Sequence, residues 1–316
     1  TKGCGAVPLF FTRPAMKPLS QLRNLYLVSS LIWLLNMLII SPSVYGQFNS
    51  PQNDKSEEES EIRIGLRYAS DYYYMGRADS AKAPYLTPSI AYYHKSGFSL
   101  RSALSYLTAS GEGRVDLYTI SGGYDYYGEK TAIGISISEY IFSDQSYAVQ
   151  AEMSTYLNMY GGYDFSIFML YADASLGFSD DMDVFTGVEI NRTFYALKNR
   201  LRITPAIYMN AGSQHYYNAY YTQRSNQTGS GKGKGKGAAQ PISTGSIRLE
   251  ESDQFQILDY EADLQLSYKV NNLRVYVSTT WTFPIHPSTV VSDQGTYEEE
   301  LKNGFYWSTG ISYTIK

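Results

Sequence analysis

The feature that most constrains this chain is an alternation of apolar and polar residues with a period of two, which runs from residue 61 almost to the last residue. The segment 258–270 shows it most clearly. Its apolar parity carries Tyr260, Ala262, Leu264, Leu266, Tyr268 and Val270, and its polar parity carries Asp259, Glu261, Asp263, Gln265, Ser267 and Lys269. Successive side chains of a β-strand point to opposite faces, so this pattern predicts strands with one apolar face. With no sustained helical period after residue 60, the chain is predicted to be all-β.

The alternating segments predict about twelve strands, separated by turn-forming residues. They are expected near 61–74, 84–95, 98–109, 114–126, 130–141, 147–160, 165–178, 183–196, 200–221, 253–269, 273–285 and 303–316. In the segment 114–126 it is ambiguous which parity is apolar. Connections after even-numbered strands are short, whereas two of the others, 222–252 and 286–302, are long. Short turns at one rim and long loops at the other are typical of transmembrane β-barrels.

Two architectures use alternating strands, a soluble β-sandwich and an antiparallel up-and-down transmembrane β-barrel. A sandwich needs many charges on its solvated face, yet only 18% of the residues are charged and the polar parity is mostly Gly, Ser, Thr and Tyr. The 32 tyrosines are about three times ordinary usage and suit the aromatic girdles of a membrane barrel. The barrel is therefore the predicted fold, over residues 61–316.

The N-terminal segment predicts export from the cytoplasm. An apolar run over about 25–40 follows Lys17 and Arg23 and precedes small residues up to Gly46, the pattern of a secretory signal peptide cleaved before Gln47. The alternative, a single transmembrane anchor, needs about 20 apolar residues. Because Met16 stands where such a peptide would start, residues 1–15 are predicted to be an upstream segment. Residues 47–60 are predicted to be a disordered periplasmic linker.

Charge and cysteine content exclude several classes of protein. Four of the 26 basic residues, and none of the 30 acidic ones, lie in residues 1–46, so 22 basic residues remain in the mature chain. This acidic balance disfavours nucleic acid as a partner. A single cysteine excludes a disulfide scaffold, and three scattered histidines leave little for a metal site. No cofactor or metal is predicted.

From these patterns the chain resembles Gram-negative outer-membrane β-barrel proteins over about residues 61–316. Its last strand, with Phe305, Trp307 and Tyr313, is similar to the strand that the outer-membrane assembly machinery recognises, although it ends on Lys316 instead of an aromatic residue. The segment 70–77, Ser-Asp-Tyr-Tyr-Tyr-Met-Gly-Arg, is similar to a first-strand motif of uncharacterised bacterial barrels, in which Arg-Gly stands where this chain has Gly-Arg. The resemblance implies an outer-membrane location, with lipid and lipopolysaccharide as surroundings.

If the apolar parity faces lipid, the charged residues of the other parity face the lumen, because a charge facing lipid costs about 2 to 4 kcal/mol at the midplane. The predicted lumen-lining residues are Arg63, Arg67, Asp71, Arg101, Glu152, Asp173, Asp183, Glu189, Arg202, Asp259, Glu261, Asp263, Lys269 and Arg274. They either form ion pairs that seal a narrow barrel or line a channel that selects solutes. Twelve strands lie between a filled barrel and an open pore, so both remain open.

The predicted function is a narrow, porin-like channel or transporter for small polar solutes, without enzymatic activity. One alternative is an outer-membrane lipid hydrolase, for which the pairs His94 with Ser96 and His286 with Ser288 are the candidates. Another alternative is a structural or adhesive surface barrel. The Gly-Lys repeat at 229–237 lacks the elements of a phosphate-binding loop and is predicted to be a flexible basic surface loop.

Overall fold

The computed structural model describes residues 59–109, 111–220, 248–250, 252–292 and 295–316. The predicted signal peptide, nearly all of the predicted linker and the Gly-Lys repeat lie outside these residues and stay predictions. In the described parts of the chain, no helix is long and apolar enough to cross a membrane.

The described residues form sixteen strands in chain order. They are β1 (Glu61–Ala69), β2 (Tyr85–Tyr93), β3 (Phe98–Leu107), β4 (Arg114–Tyr127), β5 (Thr131–Phe142), β6 (Thr155–Asp164), β7 (Met169–Phe178), β8 (Met182–Asn191), β9 (Phe194–Ala196), β10 (Leu201–Gly212), β11 (Arg248–Glu250), β12 (Gln256–Val270), β13 (Leu273–Pro284), β14 (Thr289–Ser292), β15 (Gly295–Glu298) and β16 (Gly304–Ile315). Twelve of them form the barrel wall. Strand β9 extends β8 at the turn before β10, and β11, β14 and β15 form a small separate sheet.

The wall is a closed antiparallel sheet. Neighbouring strands follow chain order, β1 pairs with β16, and β10 pairs with β12, so every wall strand has two partners. The predicted class, an all-β up-and-down barrel of twelve strands, is confirmed. Closure removes the unpaired backbone edges that an open sheet would present to lipid.

Alternation along each strand sorts side chains between the outside and the inside of the barrel. In β5, Ile133, Ile135, Ile137 and Ile141 are 50% to 59% exposed, whereas Ala132 and Tyr140 are buried. The other wall strands also expose large apolar residues on their outer face. Exposed apolar residues on all sides of a barrel form a surface that suits lipid.

Connections differ between the two rims. The turns after β2, β4, β6 and β12 are short and form the short-turn rim. The segments 70–84, 143–154, 213–220, 252–255 and 285–292 belong to the opposite loop rim. Several of these loop segments fold back into the barrel mouth, where their apolar side chains form the buried core of the molecule.

Three predicted strands were too long, for one physical reason. Strand β1 ends at Ala69 instead of residue 74, β6 begins at Thr155 instead of 147, and β10 ends at Gly212 instead of 221. Residues 215–220 are helical and form α1. These segments are rich in tyrosine and small residues and mimic strand alternation, but their rings pack inside the barrel mouth and do not extend its wall.

The ambiguous parity of β4 has a local cause. The register between β3 and β4 shifts between Ser105 and Tyr106, which face Leu117 and Val115. One extra residue in β4, Asp116, therefore turns inward and is buried. A β-bulge of this kind switches the face on which the later apolar residues lie.

We expect the outward face of β5 to reject charge and the inward face to accept it. Ile135→Arg places a guanidinium in lipid near the middle of the strand and should destabilise the barrel by about 2 to 4 kcal/mol. Ser136→Arg is the matched control, because its side chain enters the lumen. Urea titration of both variants folded into vesicles measures the difference. Equal stability of the two variants would contradict a lipid-facing outer surface.

Candidate functional site: a charged lumen with a closed roof

The barrel encloses a polar lumen with a cavity of about 1470 Å³. Its lining reaches the short-turn rim at Lys95, Ser96, Asn271 and Asn272, and it ends toward the loop rim at Met75. The cavity is larger than a typical pocket of about 300 to 1000 Å³ for one small molecule. Among the described residues, the lumen is thus a vestibule that opens at the short turns and is closed by a roof of loop segments.

One side of the lumen is basic. Five strands that adjoin in the sheet, β13, β16, β1, β2 and β3, carry four arginines and a single acidic residue, Glu61. The arginines are Arg63, Arg67, Arg101 and Arg274, and all four line the cavity. We call this set the basic wall.

The other side of the lumen is acidic. Strands β6, β7, β8, β10 and β12 carry seven acidic and two basic residues. Many of these carboxylates accept hydrogen bonds from neutral neighbours. Asp263 accepts from Ser278 at 2.8 Å and Thr280 at 3.0 Å, and Asn191 donates to Glu189 at 2.5 Å. These hydroxyl and amide donors satisfy hydrogen-bond acceptors of Asp263 and Glu189 on the acidic side of the lumen.

The fourteen residues predicted to line the lumen fall into two groups. Those that border the cavity are Arg63, Arg67, Arg101, Asp173, Glu189, Asp263, Lys269 and Arg274. Those placed elsewhere are Asp71, Glu152, Asp183, Arg202, Asp259 and Glu261. The sequence placed these six in the lumen by strand parity, but Asp71 and Glu152 lie on loop segments.

Four of these six residues lie on wall strands and are held by direct contacts. Asp259, fully buried, accepts hydrogen bonds from Asn210 and Thr282, each at 2.9 Å. The hydroxyl of Tyr306 donates to Glu261 at 3.2 Å. Asp183 binds the start of α1, and the Arg202 guanidinium lies 5.6 Å from the ring centre of Tyr195. These residues are positioned by specific contacts within the wall and roof.

The roof is an aromatic cluster built by loop segments. Tyr74 packs edge to face on Tyr216 and Phe185, with ring centres 5.1 and 5.7 Å apart. Phe185 comes from wall strand β8, whereas Tyr74 and Tyr216 come from the first loop and α1. Burial raises the pKa of the Tyr74 and Tyr216 phenols, so both stay neutral and the roof carries no phenolate.

The first loop enters the roof as a tight hairpin. The backbone of Tyr74 and Arg77 exchanges two hydrogen bonds, at 2.8 and 2.9 Å, around Met75 and Gly76. Both central residues have positive φ, 47° and 76°, as a type I′ turn requires. A Cβ at Gly76 would lie 2.8 Å from the Cβ of Asp259, so glycine also lets the hairpin lie against the wall. This turn places Met75 at the end of the lumen.

Arg77 ties the hairpin to the last loop. Its side chain is 1% exposed, its Nε lies 3.3 Å from a carboxylate oxygen of Glu299, and its Nη2 donates to the His286 carbonyl at 3.0 Å. The Nε contact is an ion pair whose angle does not meet hydrogen-bond geometry. Glu299 also accepts from the Tyr217 hydroxyl at 2.7 Å and from the Ser288 amide at 3.3 Å. One buried ion pair therefore joins three segments of the roof; we call it the latch.

Three buried aspartates hold the remaining roof segments. Asp71 accepts from the amides of Tyr72 and Ala83, both at 2.9 Å, and closes the first loop. Burial raises the pKa of Asp71.

Asp116 accepts hydrogen bonds from the hydroxyls of Ser143 and Ser146, each at 2.7 Å, and from Tyr85. Asp183 accepts from the amides of His215, at 2.8 Å, and Tyr216, at 2.7 Å. Each carboxylate thus connects wall and loop. The sequence did not predict Arg77, Asp116 and Glu299 as site residues. The motif at 70–77, which contains Arg77, and the ambiguous parity around Asp116 were the signals that pointed to special positions.

The two His and Ser pairs differ in geometry. The ring Nδ1 of His286 contacts the Ile257 carbonyl at 2.7 Å, and the Ser288 hydroxyl contacts Gln214 at 3.5 Å. His94 and Ser96 are 2.7 Å apart within one exposed turn at the short-turn rim. In the described residues, no group of three or more His, Cys, Asp and Glu side chains is arranged to hold a metal ion.

Comparison with known proteins finds similarity at the level of barrel architecture. No family model matches the chain, and no curated protein matches it. The solved KdgM porin covers 80% of this chain and 99% of its own length, with 13% identity and a TM-score of 0.44. The NanC porin covers 81% of this chain and 100% of its own length, with 10% identity and a TM-score of 0.42. At these values the similarity assigns neither a solute nor a site.

We expect Asp183 to hold the start of α1 in the roof. Asp183→Ala leaves the amides of His215 and Tyr216 without their acceptor, at a cost of about 1 to 3 kcal/mol for each unsatisfied donor. The segment around α1 should then be cleaved faster in limited proteolysis read by mass spectrometry. Asp181→Ala, at an exposed turn position nearby, is the control. Equal cleavage of both variants would exclude this role.

Proposed function

We propose that this chain is an outer-membrane barrel that conducts small polar solutes through its charged lumen, with the roof as a gate. The observation that carries the proposal is the cavity of about 1470 Å³, lined by charged, hydroxyl and tyrosine side chains from the short turns to Met75. A barrel that served only as a structural element would gain more stability from a packed, apolar interior.

A membrane location is supported by the outer surface and by the chain's start. Large apolar residues are exposed on the wall strands all around the barrel. Exposed tyrosine, phenylalanine and tryptophan, such as Tyr124, Tyr126, Trp281 and Phe305, lie toward the strand ends. The predicted signal peptide would direct the chain to the envelope, with the short turns on the periplasmic side.

Conduction requires the roof to move, and its construction supports a gate. The roof is built by loop segments and not by the wall, so it can be displaced while the barrel ladder stays intact. The latch of Arg77 and Glu299 is one of its polar attachments, beside the hydrogen bond from the Tyr220 hydroxyl to Asp79. A buried ion pair is costly to break, yet it is lost entirely when one partner is neutralised.

A second candidate function is a sealed barrel without transport, which acts at the cell surface. The observation that favours it is the roof itself, in which Tyr72, Tyr74, Tyr216, Val149 and Met153 are almost fully buried. Such packing resembles a permanent core. The two candidates differ in whether weakening the latch opens a path.

We expect the latch to control conductance. Glu299→Gln keeps the shape of the side chain but leaves Arg77 as an unpaired buried charge, which costs about 3 to 5 kcal/mol and favours an open roof by a factor of about 100 or more. Planar-bilayer recordings of the purified full chain should show more frequent or larger openings. Glu300→Gln is the matched control, because Glu300 is 82% exposed and pairs with Lys302.

A double variant separates charge imbalance from general damage. Arg77→Met combined with Glu299→Gln removes both buried charges, so the roof should close again toward wild-type behaviour. If neither the wild type nor Glu299→Gln conducts, and liposomes show no solute flux, the channel proposal is wrong and the sealed barrel remains.

A further inference from the structure

The basic wall contains a pair of arginines placed on one level of the barrel. Arg63 of β1 pairs with Ala91 of β2, and Ala91 pairs with Arg101 of β3. The two arginines are therefore two strand spacings apart, about 10 Å, with only a methyl group between them. Both face the cavity near the short-turn rim.

The two guanidinium groups converge on one tyrosine. Their Cζ atoms lie 4.7 Å (Arg63) and 5.4 Å (Arg101) from the ring centre of Tyr93, which follows Ala91 by two positions on the same face of β2. Stacking on a ring fixes the orientation of a guanidinium group and leaves its N–H donors directed sideways. The N–H donors of both guanidinium groups therefore lie around the space above Ala91.

Protein carboxylates neutralise the charges of Arg63 and Arg101 only in part. Arg63 makes a 2.5 Å contact with Glu61, but Arg101 and Asp125 are 3.6 Å apart, beyond a hydrogen bond. Each side chain is about 40% exposed to the lumen, at 39% and 40%. Donors are therefore available to a solute.

Two further arginines extend the positive field above the pair. Arg274 shares a level with Ser312 and Gly65, one step above Arg63, and Arg67 shares the next level with Gly310. Gly65 and Ser312 line the cavity beside Arg274, whereas the ring of Tyr276 lies over Gly310. Four guanidinium groups therefore lie on one side of the lumen, although the mature chain is acidic.

We infer that Arg63 and Arg101 form a binding site for the carboxylate of a small solute, at the mouth of the lumen on the short-turn side. Planar donor forks match a carboxylate in a bidentate manner, and the space above Ala91 accepts the group between them. The inference rests on the proposed function, since it names the class of solute that the lumen would select.

The test uses gluconate, with sorbitol as the uncharged match of the same chain length. Isothermal titration of the detergent-solubilised full chain should show saturable binding of gluconate and none of sorbitol. Arg63→Gln and Arg101→Gln should each weaken gluconate binding about tenfold, as expected for loss of a charge-assisted hydrogen bond. Arg200→Gln, which removes one positive charge from an exposed turn at the same rim, should leave binding unchanged.

Ala91→Glu gives a second, independent readout. The new carboxylate would lie between the two arginines and occupy the site from within, so gluconate binding should be lost while the barrel remains folded by circular dichroism. Equal affinity for gluconate in wild type, Arg101→Gln and Ala91→Glu would overturn the inference, as would equal binding of sorbitol.

The experiment also separates the two proposals. Saturable gluconate binding without conductance in any variant would refute the channel and retain the site. Conductance that gluconate does not reduce, together with no heat of binding, would retain the channel and refute the site.

Discussion

The structure depends on the closure of one hydrogen-bonded sheet. Pairing of β1 with β16 and of β10 with β12 leaves no wall strand with a free edge, which is the condition for crossing a bilayer with strands. In a closed barrel, each side chain of the wall points either to the lipid or to the lumen. The alternation of faces along each strand then determines where the four arginines of the basic wall and the seven carboxylates of the acidic side can lie. They lie on the inner face of the barrel.

The interior is divided along its length by what fills it. Toward the short turns, small inward residues such as Gly65, Ser89 and Ala91 leave space that arginine side chains and solvent can share. Toward the loops, the interior is filled by rings from loop segments that return into the mouth. The tyrosine excess therefore has two separate causes, an outer surface that meets the bilayer interface and a roof that needs large neutral side chains.

The fold was predictable because periodicity survives in a single sequence. Strand parity, the strand number and the contrast between rims follow from alternation and turn residues, and eight of the fourteen predicted lumen residues border the cavity. The roof was not predictable, because Tyr72, Tyr74 and Tyr216 alternate as strand residues do while their partners are distant in sequence. The latch has the same origin, since Arg77 and Glu299 are more than 200 positions apart and only barrel closure brings them together.

The latch and the pair of Arg63 and Arg101 lie at opposite ends of the lumen, and their charges differ in how far they are exposed to solvent. At the loop end, Arg77 and Glu299 are removed from solvent, so their mutual attraction is strong and holds a closed state. At the short-turn end, Arg63 and Arg101 remain partly solvated and only partly neutralised, so their attraction is left for a mobile anion. Binding at the mouth needs no movement of the roof, because the vestibule already reaches the short-turn rim. In the proposed channel, the basic wall would select a solute before the roof determines whether it passes.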